Sequence, residues 1–229
     1  MRIAGHPYQV LTQDELALIH NSAMRILDEV GLLIQNQSLL QRLAEFGLRV
    51  DFSSERAYFP PAIVQRWLEV CDKYDWGTHI PKVTSQAGVY HGKFHDPRSG
   101  ELLPWDERRL AYYFKLARRL PEVGSAQMLG CRLPCPPKLE ALYERYYCWK
   151  YGATPGSSIY ADEICPYLLE LYELRAAQLG LPLKEVFDAT VYLQPPLKLG
   201  RHEAYQVAWF LERGLRVGIG DMYAMGASA

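Results

Sequence analysis

The first residues of the chain place apolar side chains at helical spacing. From 12 to 31 these side chains recur at the i, i+3, i+4 and i+7 positions of a helix with one buried face: Leu16, Ile19, Ala23, Ile26, Leu27 and Val30. Thr12 followed by Glu15 has the spacing of a capping box, and Gly31 suits the end of a helix. The pattern predicts an N-terminal helix whose apolar face packs on a core.

Two more helices and a hairpin complete the predicted N-terminal extension. Leu39, Leu40, Leu43 and Phe46 predict a short helix that ends at Gly47. The pattern over 48–59 predicts a small β-hairpin, with a polar turn between its strands. A third helix is expected to begin at the pair Pro60-Pro61 because proline suits a first helical turn. We take 1–74 as a helical extension that includes this hairpin region.

The pattern changes after this extension. Residues 75–124 predict a β-rich connector with two short strands around the turn 96–100, followed by a helix. The helix is expected from about Trp105 to Leu120, with acidic residues at its start and arginines at its end.

A strand-then-helix unit repeats after Gly124 with a period of about 30 residues. Strand-like runs begin near Ser125, Gly156, Asp188 and Arg216, and the helices between them are predicted over 139–151, 164–179 and 203–213. Glycines follow each helix: Gly152, Gly180 and Gly214. We predict an α/β protein in which 125–229 forms a partial TIM (β/α)₈ barrel of about four βα units. An open doubly wound sheet is the alternative, since four units do not close a barrel.

Composition excludes several classes of protein. The 229 residues carry 25 Lys+Arg against 26 Asp+Glu, so we expect no nucleic-acid or membrane partner. The chain has no apolar run long enough for a membrane span, and its first residues lack a secretion signal. Five cysteines predict free thiols and a cytoplasmic location.

The sequence favours neither a nucleotide site nor a metal site. No glycine-rich phosphate-binding motif follows any predicted strand. His91 and His95 share a face of a strand-like segment but stand about 13 Å apart there. Cys131 and Cys135 have no second ligand pair at zinc-binding spacing. We therefore predict that this chain holds no metal.

Several stretches resemble the trimethylamine methyltransferase family, in order along the chain. The segments 11–31 and 43–51 are similar to the N-terminus of that family. Phe94–Glu101 resembles its Asp-x-x-x-Gly-Glu turn, and Gln194–Leu197 its Ser-Pro-Leu segment, with Gln-Pro in place of the usual Ser. The end of the chain, Gly214–Ala229, resembles a mid-barrel strand and a Met-x-x-x-Gly-Ala loop.

The resemblance implies a fold and a reaction. Family members are (β/α)₈ barrels with a helical N-terminal extension, and they move a methyl group from trimethylamine or a related methylated or quaternary amine to cobalt. The cobalt belongs to a corrinoid (cobalamin) on a separate partner protein, so this chain is expected to bind no cofactor itself. The resemblance also links the chain to methanogenesis. Archaeal trimethylamine enzymes carry a pyrrolysine in the second half of the barrel, which this chain does not include.

Because the chain resembles only the N-terminal half of the family, two functions stay open. The first is the methyltransferase, or its N-terminal portion, acting on a small methylated amine. The alternative is a non-catalytic half-barrel that self-associates into a homo-oligomer or docks on a partner chain, since open strand edges and an uncovered barrel lining favour association.

Barrel sites lie at the carboxyl ends of the strands. Removing a methyl group from a quaternary ammonium moves no proton, so the protein needs aromatic faces and a counter-charge rather than an acid–base pair. Side chains with that chemistry near the strand ends are the candidate substrate-binding residues: Tyr160, Asp162, Glu163, Tyr192, Gln194, Asp221 and Tyr223. Two alternatives stay open: Tyr192 can face the outer helices instead, and Asp162 and Glu163 can simply suit the start of a helix.

Overall fold

The computed structural model describes residues 10–71, 85–87, 92–120, 123–126 and 135–221. The chain divides into two compact units. Among the described residues, the first unit holds 10–71 and Leu193–Ala204. The second unit holds the described residues between 85 and 192, together with Tyr205–Asp221.

Both units contain helices and short strands. The helices are α1 (Gln13–Arg25), α2 (Gln37–Glu45), α3 (Pro61–Val70), α4 (Glu107–Ala117), α5 (Glu140–Tyr151), α6 (Cys165–Leu179), α7 (Leu183–Val186) and α8 (Arg201–Leu211). The strands are β1 (Leu32–Ile34), β2 (Arg49–Asp51), β3 (Arg56–Tyr58), β4 (Ser85–Ala87), β5 (Lys93–His95), β6 (Leu102–Pro104), β7 (Val123–Ala126), β8 (Thr190–Leu193), β9 (Lys198–Leu199) and β10 (Gly218–Asp221). The predicted mixed α/β class is confirmed.

A four-stranded sheet in the order β2-β3-β1-β9 organises the first unit. Strand β3 is antiparallel to both β2 and β1, which confirms the hairpin predicted over 48–59. Strand β9 pairs parallel to β1, with Leu33 opposite Lys198 and Ile34 opposite Leu199. Strand β1 therefore pairs with a segment 165 residues further along the chain, a pairing that the sequence pattern did not indicate.

The start and end of α1 agree with the sequence, but its burial does not. The Thr12 side chain accepts from the Glu15 N–H at 3.3 Å, and the Glu15 carboxylate accepts from the Thr12 N–H at 2.7 Å, which confirms the capping box. A π-helical turn extends the helix to Gly31, whose φ is +68°. The expectation of a buried apolar face is wrong: no side chain of α1 is buried, and Leu16 and Ile19 are 44 % and 55 % exposed. Helix α3 contacts α1 but leaves most of this stripe uncovered.

Two hydrophobic clusters form the core of the second unit. Helices α4 and α5 share the first cluster: Trp105, Leu110, Phe114, Ala117 and Cys148. Helices α6 and α8 share the second with the segment that follows α8: Cys165, Leu168, Tyr172, Phe210 and Leu215. The helices predicted after Gly124 are confirmed, and a glycine of positive φ follows each of them as expected: Gly152, Gly180 and Gly214.

Parallel pairing predominates among the strands of the second unit. Strand β4 is parallel to β7, and the segment at Ser158 is parallel to β8 at Thr190. Strand β10 pairs with β8 so that Gly218 lies against Thr190 and Gly220 against Tyr192, which means that both strands run in the same direction. Strands β5 and β6 form the predicted antiparallel hairpin.

These pairings do not establish a barrel. Among the described residues the sheets of the second unit are short and none of them closes on itself, whereas a (β/α)₈ barrel needs eight strands. The partial barrel is therefore not confirmed, and the division into 1–74, 75–124 and 125–229 also stays a prediction.

None of the helices within the described ranges combines the length and the apolar character that crossing a membrane requires.

Candidate functional site

Three parallel segments of the second unit end at one edge. The Thr190 N–H donates to the Ser157 carbonyl at 2.8 Å, and the Gly218 N–H donates to the Ala189 carbonyl at 2.8 Å. Ligands of open α/β sheets bind at the carboxyl ends of parallel strands. The residues that follow these pairings, Tyr160 and Tyr192, therefore lie at the edge where a small molecule is expected.

The two faces of this sheet differ. Ala189 and Val191 are buried, and Val217 packs on the cluster shared by α6 and α8. Because strand side chains alternate, Tyr192 lies on the opposite, open face, where it is 37 % exposed. A Cβ atom placed on Gly220 would come within 2.8 Å of the Tyr192 ring, so the ring lies directly on β10. Tyr192 therefore lies on the face opposite that cluster, and its role as a site residue stays a prediction.

Tyr160 lies beside carboxylates of α5. Its side chain is 47 % exposed, while its hydroxyl group is desolvated. That burial, followed by the nearby charges of Glu144 and Glu140, raises the pKa of Tyr160 to about 12. The phenol is therefore neutral at physiological pH. A partly exposed aromatic ring close to two carboxylates is a favourable environment for an organic cation.

Glu144 is a buried carboxyl group that the sequence reasoning missed. Its Oε1 accepts from the Gly156 N–H at 3.0 Å. Burial raises the pKa of Glu144, and the Gly156 N–H and the charge of Arg145 act in the opposite direction. A Cβ atom on Gly156 would lie 2.6 Å from that same oxygen, so a larger residue would require the carboxyl group to shift.

The Arg145 side chain connects the segment at Ser158 with the segment at Asp188 that leads into β8. It is fully buried, and its guanidinium donates to the backbone oxygens of Ala141 at 3.0 Å, Ser158 at 3.2 Å and Asp188 at 3.4 Å. It also donates to the Tyr172 hydroxyl at 3.1 Å, which in turn donates to the Asp188 carbonyl at 2.6 Å. This network holds in register the segments that carry Tyr160 and Tyr192.

The adjacent carboxylates Asp162 and Glu163 have different surroundings. Asp162 Oδ1 accepts from the Nε2 of Gln206, a buried residue of α8, at 2.9 Å. Glu163 forms an ion pair with Lys138, and both of these side chains are mostly exposed. Both acids lie in the 3₁₀ turn that precedes α6, so they also suit the start of that helix.

We call one group of residues the rim: Tyr160, Asp162 and Tyr192, together with Glu140 and Glu144 beside Tyr160.

The other predicted site residues are Gln194, Asp221 and Tyr223. Gln194 belongs to the first unit, where its side chain donates to Glu203 at 3.1 Å and its backbone pairs with Lys198. Asp221 ends β10, and its side chain lies outside the described part of the chain. Tyr223 also lies outside the described residues.

The described ranges hold neither a metal-ligand cluster nor an activated thiol at Cys165. Burial, helped by the charge of Asp162, raises the pKa of Cys165 to about 12, so this thiol is a poor nucleophile. Within those ranges no group of three or more His, Cys, Asp or Glu residues could hold a metal ion. His91 and Cys131, considered above as ligands, lie outside the described residues.

A signal for the buried network does exist in the sequence. Ala141, Arg145 and Cys148 are spaced i, i+4 and i+7, which places Arg145 on the buried stripe of α5. A charged residue on such a stripe requires partners, because an unpaired buried charge is very costly. Glu144, the residue before Arg145, is also buried and therefore also requires a partner.

The N-terminal residues, which lie in the first unit, match a known protein family. Residues 2–75 match the family model for trimethylamine methyltransferase (MTTB). This match spans about a third of the chain and includes α1 to α3 and β1 to β3. The resemblance to the trimethylamine methyltransferase family is therefore confirmed for the N-terminal portion. No curated protein matches the chain. The rim lies beyond the matched residues, so the roles of its side chains depend on their geometry alone.

Proposed function

We propose that this chain is a methyltransferase, or the N-terminal portion of one, that acts on trimethylamine or a related methylated or quaternary amine. The methyl group passes to the cobalt of a corrinoid held by a separate protein. The match of residues 2–75 to trimethylamine methyltransferase supports the reaction class. The observation that carries the site is the half-exposed Tyr160 ring close to the carboxylates of Glu140 and Glu144.

The rim would hold the amine as a cation. An aromatic face contributes about 0.5–2 kcal/mol to the binding of an organic cation, with the larger values for desolvated sites. Tyr160 and Tyr192 supply two rings near one strand edge, and Glu140 and Glu144 supply negative charge. Because the Tyr160 phenol stays neutral up to a pKa of about 12, its ring contributes in the same form across the physiological range.

The transfer demands little acid–base chemistry from this chain. A corrinoid on the partner protein would supply the electron pair that bonds to the methyl carbon, and the amine would leave with the electrons of the broken C–N bond. The rim residues bind the cation, orient one methyl group outward and exclude water around it. Since the corrinoid belongs to a separate protein, no residue of this chain is proposed as its ligand.

A cytoplasmic location is part of the proposal. Among the described cysteines, Cys71, Cys135, Cys148 and Cys165 are thiols rather than disulfides. This state is typical of a reducing compartment.

Anaerobic methyl transfer to cob(I)alamin tests the proposal. The full chain is mixed with cob(I)alamin and a panel of methylamines and betaines, and methylcobalamin is followed by its absorbance. We expect at least one substrate to react, Tyr160→Ala to raise its KM about tenfold, and Tyr160→Phe to leave KM nearly unchanged because the ring is kept. No methylcobalamin from any substrate, even when the C-terminal half of a family member is supplied, would count against the reaction.

A second candidate function is a non-catalytic half-barrel that self-associates or docks on a partner chain. Exposed apolar side chains between α5 and α6 favour it. This candidate predicts concentration-dependent association without methyl transfer, so the two measurements together separate the functions.

A further inference from the structure

An apolar groove runs between α5 and α6 on the second unit. A depression of about 400 Å³ is lined mainly by Tyr143, Tyr146, Tyr167, Leu171 and Leu174. A second depression, of about 420 Å³, shares three of these residues and continues along both helices. We call the two together the α5–α6 groove.

The side chains of this groove are unusual for a surface facing water. Tyr167 is 60 % exposed and Leu174 is 64 % exposed, and Tyr143 and Tyr146 beside them are also exposed. The outward face of a surface helix is normally polar. Contiguous exposed apolar side chains mark interaction sites, and aromatic residues are enriched in protein interfaces. The groove therefore has the composition of an interface.

The pattern of α6 along this groove is symmetric. The spacings of its lining residues are symmetric, at 3, 1, 3, 1 and 3: Tyr167, Glu170, Leu171, Leu174, Arg175 and Gln178. The midpoint falls between residues 172 and 173. A second α6 laid antiparallel across this midpoint places Leu171 against Leu174 and Glu170 against Arg175, twice each.

We propose that the α5–α6 groove is the twofold interface of a homodimer, in which α6 packs antiparallel on α6 of a second copy. A twofold interface must be self-complementary. Glu170 and Arg175 lie at equal distances on either side of the midpoint, so each faces the opposite charge on the second copy. The interface is therefore self-complementary.

Arg175 is already placed for this role. Its guanidinium donates to Gln178 at 2.8 Å and lies 5.3 Å from the Trp149 ring. Both of these residues line the same groove. The inference stands whether or not the chain transfers methyl groups, because it concerns only association.

A charge-swap series tests the interface on the full chain. Sedimentation equilibrium over a dilution series gives the dimer dissociation constant of the wild type and of each variant. We expect Glu170→Arg alone and Arg175→Glu alone to weaken the dimer at least tenfold, because each places like charges face to face. The double variant exchanges the two signs and restores the dissociation constant to within about threefold of the wild type.

Two further variants complete the test. Leu174→Glu should abolish the dimer, and Leu179→Glu should leave it intact, since Leu179 is exposed on α6 but does not line the groove. Circular dichroism confirms that each variant is folded. A wild type that stays monomeric at every concentration, a Leu174→Glu variant that still dimerises, or a double variant that fails to recover would overturn the proposal. Failure of methyl transfer would leave the dimer result unchanged.

Discussion

Two groups of charged residues serve the same strand edge of the second unit in different ways. Arg145 and Glu144 are buried, and their bonds go to the backbone of the segments that carry the rim. Asp162 and Glu163 lie at the start of a helix, and Glu163 forms an exposed ion pair with Lys138. The difference teaches that the buried pair sets the geometry of the rim, with Glu144 also placing a carboxyl group beside Tyr160.

The largest expected effect comes from Arg145→Met. Removing this guanidinium leaves Glu144 without its neighbouring charge and leaves the Ser158 and Asp188 carbonyls without their donor. Breaking a buried charged network typically costs about 3–5 kcal/mol. Urea unfolding measures the loss. The control is Arg25→Met, which removes an exposed arginine paired with Glu29 and should leave the stability unchanged. Equal losses of stability in both variants would show that burial of Arg145 is not what makes it important.

Gly156→Ala should be the next most damaging change. The new methyl group would lie 2.6 Å from Glu144 Oε1, and overpacking of this kind costs about 1–3 kcal/mol. The double-mutant cycle with Glu144→Ala sharpens the test, because removing the carboxyl group makes room for the methyl group. A cost of Gly156→Ala that is the same in both backgrounds would show that the contact with Glu144 is not responsible.

The pKa of Glu144 predicts a smaller, pH-dependent effect. Since burial raises the pKa of Glu144 in the folded state, the folded chain binds this proton more tightly than the unfolded chain does. Its contribution to stability is complete below the unfolded pKa of about 4.5 and is lost as the pH rises through the folded pKa. Glu144→Gln cannot titrate, so the difference in urea midpoint between wild type and variant should change across this window. A pH-independent difference would contradict the raised pKa.

Gly220→Ala should have the smallest effect on folding and a visible one on binding. Its methyl group would push against the Tyr192 ring, whereas Gly218→Ala would push against the Thr190 hydroxyl one pair earlier on the same strands. We expect Gly220→Ala to weaken the binding of a methylated cation about threefold to tenfold, and Gly218→Ala to weaken it less. Calorimetry of both variants checks the order, and the reverse order would remove Tyr192 from the rim.

Local features of the chain were predictable because they depend on nearby residues. The capping box of α1, the glycines after α5, α6 and α8, and the hairpin over 48–59 all follow from local spacing. Tyr160 and Tyr192 could be placed near a strand edge because strands and helices alternate regularly there.

Features that depend on distant partners were not predictable. The apolar period of α1 identifies a face but not what covers it, and in the structure that face is largely exposed. The pairing of β9 with β1 joins segments far apart in sequence, and the assignment of Gln194 to the first unit follows from it. The partners of Arg145 lie on three separate segments, which no local pattern connects.

The central claim is that the rim recognises the positive charge of a methylated amine. Calorimetric titration with choline and with its neutral carbon isostere 3,3-dimethyl-1-butanol tests this claim most directly, because the two ligands share a shape and differ in charge. The account predicts that choline binds at least about tenfold more tightly and that Tyr160→Ala removes most of this preference. Equal affinity for the two ligands, or a preference that Tyr160→Ala leaves intact, would contradict it.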